Sequence, residues 1–179
     1  MINLLENVTT KIEKLQIPYM LSGSMAMGFY AIQRTTQDID LVIELFKDDI
    51  PKIITAFADF YYHKISMEEA VSDNSMFNLI DQKSGLKIDF ILRKNTEYDL
   101  LAFQRKQYLP LELGKNLYFW VITVEDLIIA KIRWIQVLQS EKQLRDIENL
   151  LFNPNIDKNY LIKWINKLEL NTFSIDFKI

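Results

Sequence analysis

The chain has 179 residues, 49% apolar and 25% charged, with 21 basic and 24 acidic side chains and a formal net charge of −3. This is ordinary globular composition for one substantial core, and the charge excludes a strongly basic domain with a duplex-wide nucleic-acid footprint, though not a local basic patch. With no cysteine and one histidine, His63, disulfides, thiolate metal sites and multi-histidine zinc centres are excluded, so oxygen ligands must hold any metal, which points to Mg²⁺ or Mn²⁺.

Leu4, Leu5, Val8, Ile12 and Leu15 recur at helical spacing and predict an opening amphipathic helix that Pro18 ends. Tyr19-Met20-Leu21 reads as a short buried strand, broken by Gly23-Ser24. A helix over residues 25–32, capped by Ser24, is expected next. Residues 38–45 alternate strictly and predict a strand. After Pro51 a helix is expected over 52–62, with proline in the first turn where it is tolerated.

The turn-rich segment 81–85 joins two further strands, 75–81 and 86–93, as a hairpin. A short helix over 98–106 follows, then weaker strand patterns near 108–113 and 117–122. From Thr123 three helical patterns take over, at 124–138, 141–151 and 157–168, and the alternating residues 173–177 suggest an edge strand. The expected fold class is α+β. A mixed sheet with helices on one side occupies 1–121, and a helical C-terminal part, 122–179, packs on it. No basic-then-apolar leader is visible, and no apolar run approaches the roughly 18 residues of a bilayer span, so a cytoplasmic protein is expected.

In a strand, residues two apart share a face, so Asp38 and Asp40 project together while Ile39, Leu41 and Ile43 face the core. Paired carboxylates repel and resist burial, a conflict that a divalent cation or plain solvation resolves. Asp89 has the same parity, because Leu86, Ile88, Phe90 and Leu92 take the core face of its strand. If the hairpin pairs beside strand 38–45, three carboxylates stand on one side of the sheet and suit a two-metal site. Gly23 permits close backbone approach, and the helix start at Ser24 suits a phosphate, although no Gly-x-x-x-x-Gly-Lys-Ser/Thr loop is present.

Lys131 falls inside the apolar stripe Leu127, Ile128, Trp134, Ile135, Leu138, where it meets an anion such as a triphosphate or else snorkels to water. Arg34 either contacts phosphate or ties the loop to the aspartate strand. Glu44 shares the aspartate face and is expected to reach solvent. His63 is expected at a helix C-terminus, with no catalytic role. Trp120, Trp134 and Trp164 are expected in the core, and Arg145 with Asp146 as a solvated helix pair.

Leu21-Ser22-Gly23-Ser24-Met25-Ala26 and Arg34-Thr35-Thr36-Gln37-Asp38-Ile39-Asp40-Leu41, followed by Asp89 in Lys-Ile-Asp-Phe-Ile, resemble the polymerase-beta-like nucleotidyltransferase superfamily. The Arg-x-Thr-x-Asp-x-Asp form looks most like the AbiE-type toxin nucleotidyltransferases and their relatives. Leu127 to Lys131 and Leu144-Arg145-Asp146-Ile147 are similar to that subgroup's helical motifs. The resemblance implies an enzyme that moves a nucleotidyl group from an NTP to an acceptor hydroxyl. Asp38, Asp40 and Asp89 would be the catalytic and Mg²⁺-binding (or Mn²⁺-binding) residues, and Gly23, Ser24, Arg34 and Lys131 the nucleotide-binding ones. It also implies tRNA or another RNA as acceptor and an antitoxin protein as partner. An RNA would need a basic patch, for which Lys142, Arg145, Lys158, Lys163 and Lys167 are the candidates. Two other readings stay open: a transferase of small hydroxylated molecules such as antibiotics, and a non-catalytic NTP-binding or protein-interaction module.

Overall fold

Ile39, Leu41 and Ile43 are fully buried and alternate with Asp38, Asp40 and Val42, and this period of two makes residues 38–43 the middle strand of a mixed sheet. The computed structural model describes residues 1–31, 36–111, 117–138, 140–173, 175 and 177. The helices are α1 (Ile2–Lys14), α2 (Gly23–Met27), α3 (Ile50–Ala56), α4 (Lys64–Asp73), α5 (Glu97–Gln104), α6 (Val124–Ile135), α7 (Glu141–Leu151) and α8 (Lys158–Lys167). The strands are β1 (Tyr19–Leu21), β2 (Asp38–Ile43), β3 (Phe60–Tyr61), β4 (Met76–Asp81), β5 (Lys87–Leu92), β6 (Gln107–Pro110) and β7 (Tyr118–Val121). They form one seven-stranded sheet in the order β3-β4-β5-β2-β1-β7-β6. The fold is α+β, as expected, and no described helix is long and apolar enough to cross a membrane.

The hairpin β4–β5 is antiparallel, and its second strand lies parallel to β2. β1 runs antiparallel to β2 on the other side. Below the sheet, Phe77 stacks on Phe90 at 5.2 Å and Phe57 meets Phe90 edge-on at 5.8 Å, so the core face of β4 and β5 is closed by aromatic packing.

The segment after Pro51 departs from expectation. The helix stops at Ala56, Phe57 and Phe60 turn into the core, and Phe60–Tyr61 pairs with β4 as an edge strand. A further helix, α4, then runs from Lys64 to Asp73. His63 is its N-cap, accepting the Ser66 amide at Nδ1 (3.2 Å), so the histidine opens a helix rather than closing one. The alternating C-terminal segment forms no described strand: Phe173, Ile175 and Phe177 pack against the core as partly buried side chains, and residues 174 and 176 lie outside the described set.

A polar cluster fastens α5, α6 and α8 together. Asp126, fully buried, accepts from Tyr98 Oη (3.1 Å), Arg105 Nε (3.1 Å), Thr123 Oγ1 (2.8 Å) and Tyr160 Oη (2.8 Å). Arg105 also binds Glu125, and its guanidinium lies 3.8 Å from the Tyr160 ring centroid. Asp126→Ala would leave buried hydroxyls and a cation without their acceptor. It is expected to lower the unfolding free energy in urea by about 3 kcal/mol; a change within experimental error would show that this cluster is incidental.

Candidate functional site

The β2–β5 register sets the site. Asp40 stands directly across from Asp89, and Asp38 across from Lys87, so all four side chains share the face opposite Ile39, Leu41, Ile88 and Phe90. Asp89 is buried, whereas the Asp38 side chain is half exposed at 51%. Lys87 Nζ lies 2.9 Å from Asp89 Oδ2 and 3.9 Å from Asp38 Oδ1, a cation set among the carboxylates. The hydrogen bond to Asp89 holds the Lys87 pKa above its ordinary value. Asp89 Oδ1 is buried with no hydrogen-bond partner among the described residues. Burial first, then the charges of Asp89 and Asp38, push the Asp40 carboxyl above the usual carboxylate range, and Lys131 and Lys87 pull it part of the way back.

The loop after β1 closes over Asp40. The Ser22 amide donates to the Asp40 carbonyl at 2.9 Å, and Gly23 then takes φ +60°. A Cβ on Gly23 would fall on the Asp40 carboxylate and lie 2.8 Å from Asp40 Cβ, so backbone and carboxylate occupy space that any other residue would need. Here the expected helix start is corrected. The helix spans only Gly23–Met27, Ser22 rather than Ser24 holds the cap position, and Ser24 sits in the first turn.

Across the cavity stands α6. Leu127, Ala130, Lys131 and Trp134 line it from one helix face, three and four residues apart. Lys131 is buried, and its ammonium donates to Asp146 Oδ2 at 2.8 Å and to Gln143 Oε1 at 3.3 Å on α7. The anion facing Lys131 in the structure is thus a side chain of the protein, a partner that sequence reading did not supply. Asp146 is correspondingly buried rather than part of a solvated pair, while Arg145 is exposed. Of the three tryptophans only Trp164 is in the core. Trp120, on the exposed face of β7, is 37% exposed, and Trp134, on the cavity side of α6, is 58% exposed. Glu44 does not run free to solvent; Arg93 pairs with it at 2.9 Å.

The cavity between the sheet face and α6 has a volume of about 680 Å³. Gly23, Ser24, Asp38, Asp40, Asp89 and Lys131 all line it, as do Thr36, Gln37, Lys87 and Lys142. Arg34 lies outside the described residues. Among the described residues no three Asp, Glu or His side chains are grouped tightly enough to hold a metal ion: Asp40 and Asp89 are adjacent, but Asp38 stands at the exposed end of β2 with Lys87 beside it. Even so, the oxygen donor set, the orphaned Asp89 Oδ1, and the burial and neighbouring carboxylate charges that raise Asp40 fit a hard divalent cation.

Sequence reading missed Lys87, Gln143 and the exposure of Trp134. Lys87 was open to discovery, since it shares the parity of Asp89 two residues away. The other two depend on how α6 and α7 pack.

No protein-family profile matches the chain, and no curated protein sequence does. Solved structures do. The antibiotic-resistance factor ANT(2″)-Ia, in complex with adenylyl-2″-tobramycin, is 11% identical and aligns over 93% of this chain and 97% of its own with a TM-score of 0.64. The lincosamide antibiotic adenylyltransferase LnuA, lincomycin-bound, is 16% identical over 82% of this chain and 93% of its own, with a TM-score of 0.50. An antigenic nucleotidyltransferase-like protein from Paracoccidioides brasiliensis is 18% identical over 89% of this chain and 84% of its own, with a TM-score of 0.50. At such identities the likeness is one of fold, and the fold is that of the nucleotidyltransferases.

Proposed function

We propose that the protein is a divalent-metal-dependent nucleotidyltransferase that moves an NMP from an NTP to a hydroxyl of a small-molecule acceptor. The observation that carries this reading is the Asp40–Asp89 cross-strand pair lying under a Gly-Ser loop on the wall of a cavity, in a chain with this fold. The NTP is read as lying between the sheet part, residues 1–121, and the C-terminal helices, 122–179.

Asp40 and Asp89 are read as the core of a site for Mg²⁺ or Mn²⁺ that Asp38, now beside Lys87, would complete on binding; the ion would neutralise phosphate charge and lower the pKa of the attacking hydroxyl. Ser24 and the backbone of Gly23 bind the terminal phosphates of the nucleotide. Arg34, on the same stretch of sequence, is proposed to assist. Lys131 adds positive charge to the phosphate side, held in place by Asp146. The acceptor oxygen forms a bond to the α-phosphorus, the bond from that phosphorus to the bridging oxygen breaks, and pyrophosphate leaves with the electron pair. The hydroxyl proton passes to Asp89, whose Oδ1 has no partner among the described residues. Catalysis is then mainly positioning and charge stabilisation.

A small-molecule acceptor is favoured because the neighbours of this fold include proteins whose names or bound molecules are antibiotics. The reading as an AbiE-type toxin, with an RNA acceptor and an antitoxin partner, has the sequence resemblance in its favour. Of its candidate basic residues, Lys167 is already paired with Glu97 at 2.7 Å. With Mg²⁺, each NTP and a panel of hydroxylated small molecules, the wild type is expected to release pyrophosphate. Asp38→Ala and Asp40→Ala are expected to lose this by about 10³-fold or more. Transfer retained in both variants would contradict the site, and binding of NTP without turnover on small molecules or RNA would favour the non-catalytic module.

A further inference from the structure

The cavity has two chemically different halves. One is polar: Gly23, Ser24, Asp38 and Asp40 gather where the loop meets β2. The other is apolar. Two residues along β5 from Asp89 the same sheet face presents Ile91, whose cross-strand partner on β4 is Met76, 43% exposed. On the α6 wall of the same cavity, one turn beyond Lys131, stands Trp134, an indole 58% exposed. Asp89 sits on the boundary between the halves.

We infer that the apolar half, with Trp134 as its specificity-determining residue, binds the acceptor, and that the acceptor is a neutral hydroxyl compound with a planar or apolar face rather than a polycation. This rests on the transferase reading of the site. An acceptor hydroxyl that gives its proton to Asp89 must lie against Asp89; beside it on β4 stands the exposed Asn78, and the next residues along that face are Ile91 and Met76, with Trp134 lining the same cavity from α6. Charge points the same way. Among the described residues lining the cavity, the only carboxylates are Asp38, Asp40 and Asp89, all committed to the reaction, and the remaining charges are Lys87, Lys131 and Lys142. A polyamine would bring several ammonium groups to a wall with no further carboxylate to pair them, at a desolvation cost that nothing repays. An apolar wall with one aromatic surface and a few polar groups at its edge is instead the usual lining for an uncharged ligand.

The test is calorimetry on the full chain in Mg²⁺. Each of the four α,β-methylene nucleoside triphosphates is titrated first. Then 4-nitrophenyl β-glucoside (neutral, planar, hydroxylated) and tobramycin (a polyamine) are titrated into the nucleotide-bound protein. Trp134→Ala is expected to weaken the glucoside by about tenfold, the scale of one lost aromatic contact, and to leave nucleotide affinity unchanged. Trp134→Phe should retain the glucoside, and tobramycin should not bind. Both substitutions fall on an exposed side chain, so folding is not at stake. Tobramycin binding as tightly as the glucoside, no glucoside binding at all, or glucoside affinity unchanged in Trp134→Ala would overturn the assignment. So would a loss of nucleotide affinity in Trp134→Ala, which would make the indole a nucleobase platform. Failure of the wild type to bind any nucleotide would overturn the underlying transferase reading, and this inference with it.

Discussion

Asp40→Asn is expected to abolish nucleotidyl transfer and, in the absence of metal, to make the protein more stable. Both effects come from one carboxylate. Asp40 is packed under Gly23 and faces Asp89, and burial together with the charges of Asp89 and Asp38 raises its pKa in the folded state. A carboxyl whose folded pKa is raised favours the fold while protonated. That contribution is present below the ordinary carboxylate range, about pH 4, and is lost as pH rises through the raised value. Above that raised value the wild type carries an anion whose burial and neighbouring charges cost stability, and the amide removes that cost without changing the shape. In EDTA at neutral pH the variant should melt roughly 2–4 °C higher, the shift that about 1 kcal/mol makes in a chain of this size, with the gap narrowing as pH falls toward 4. Mg²⁺ should raise the Tm of the wild type and not of the variant. A variant less stable than wild type in EDTA would mean that Lys87 and Lys131 already compensate the pair.

Gly23→Ala should damage the same spot from the other side. An alanine at φ +60° costs roughly 1–2 kcal/mol in backbone strain alone. Its methyl also lands where the Asp40 carboxylate is, so either the loop or the carboxylate must move. Displacement of about 1 Å at a reacting centre is worth on the order of 10²-fold in rate. The expected result is a chain that folds with lower stability in urea and loses transfer by about that factor or more. Wild-type stability and turnover in Gly23→Ala would show that the loop does not have to approach Asp40 so closely.

What could be read from the residues was what is local. The period of two in 38–43 and 87–92 assigned Asp38, Asp40 and Asp89 to one face, and the turn at 81–85 predicted the hairpin that carries Asp89. That β5 would lie beside β2, opposing Asp40 to Asp89, is a long-range pairing that alternation alone cannot give. The same limit explains the errors. Residues 52–62 contain enough apolar spacing for a helix, yet Phe57 and Phe60 are drawn out of it by the aromatic core around Phe90. Helix α4 was missed because its apolar face is reduced to Met67, Ala70 and Val71 among charged neighbours. Lys131 stood out as a cation in an apolar stripe. Its partner Asp146 and the exposure of Trp134 follow from the packing of α6 on α7, which no residue of either helix announces.

The central claim is that this face binds a metal–nucleotide complex, and calorimetric titration of wild type and the Asp38→Ala/Asp40→Ala double variant with each of four NTPs, with and without Mg²⁺, tests it most directly. Binding by the wild type that requires Mg²⁺ and is lost in the variant is the predicted result. Equal binding by both proteins, or no binding of any NTP under either condition, would contradict it.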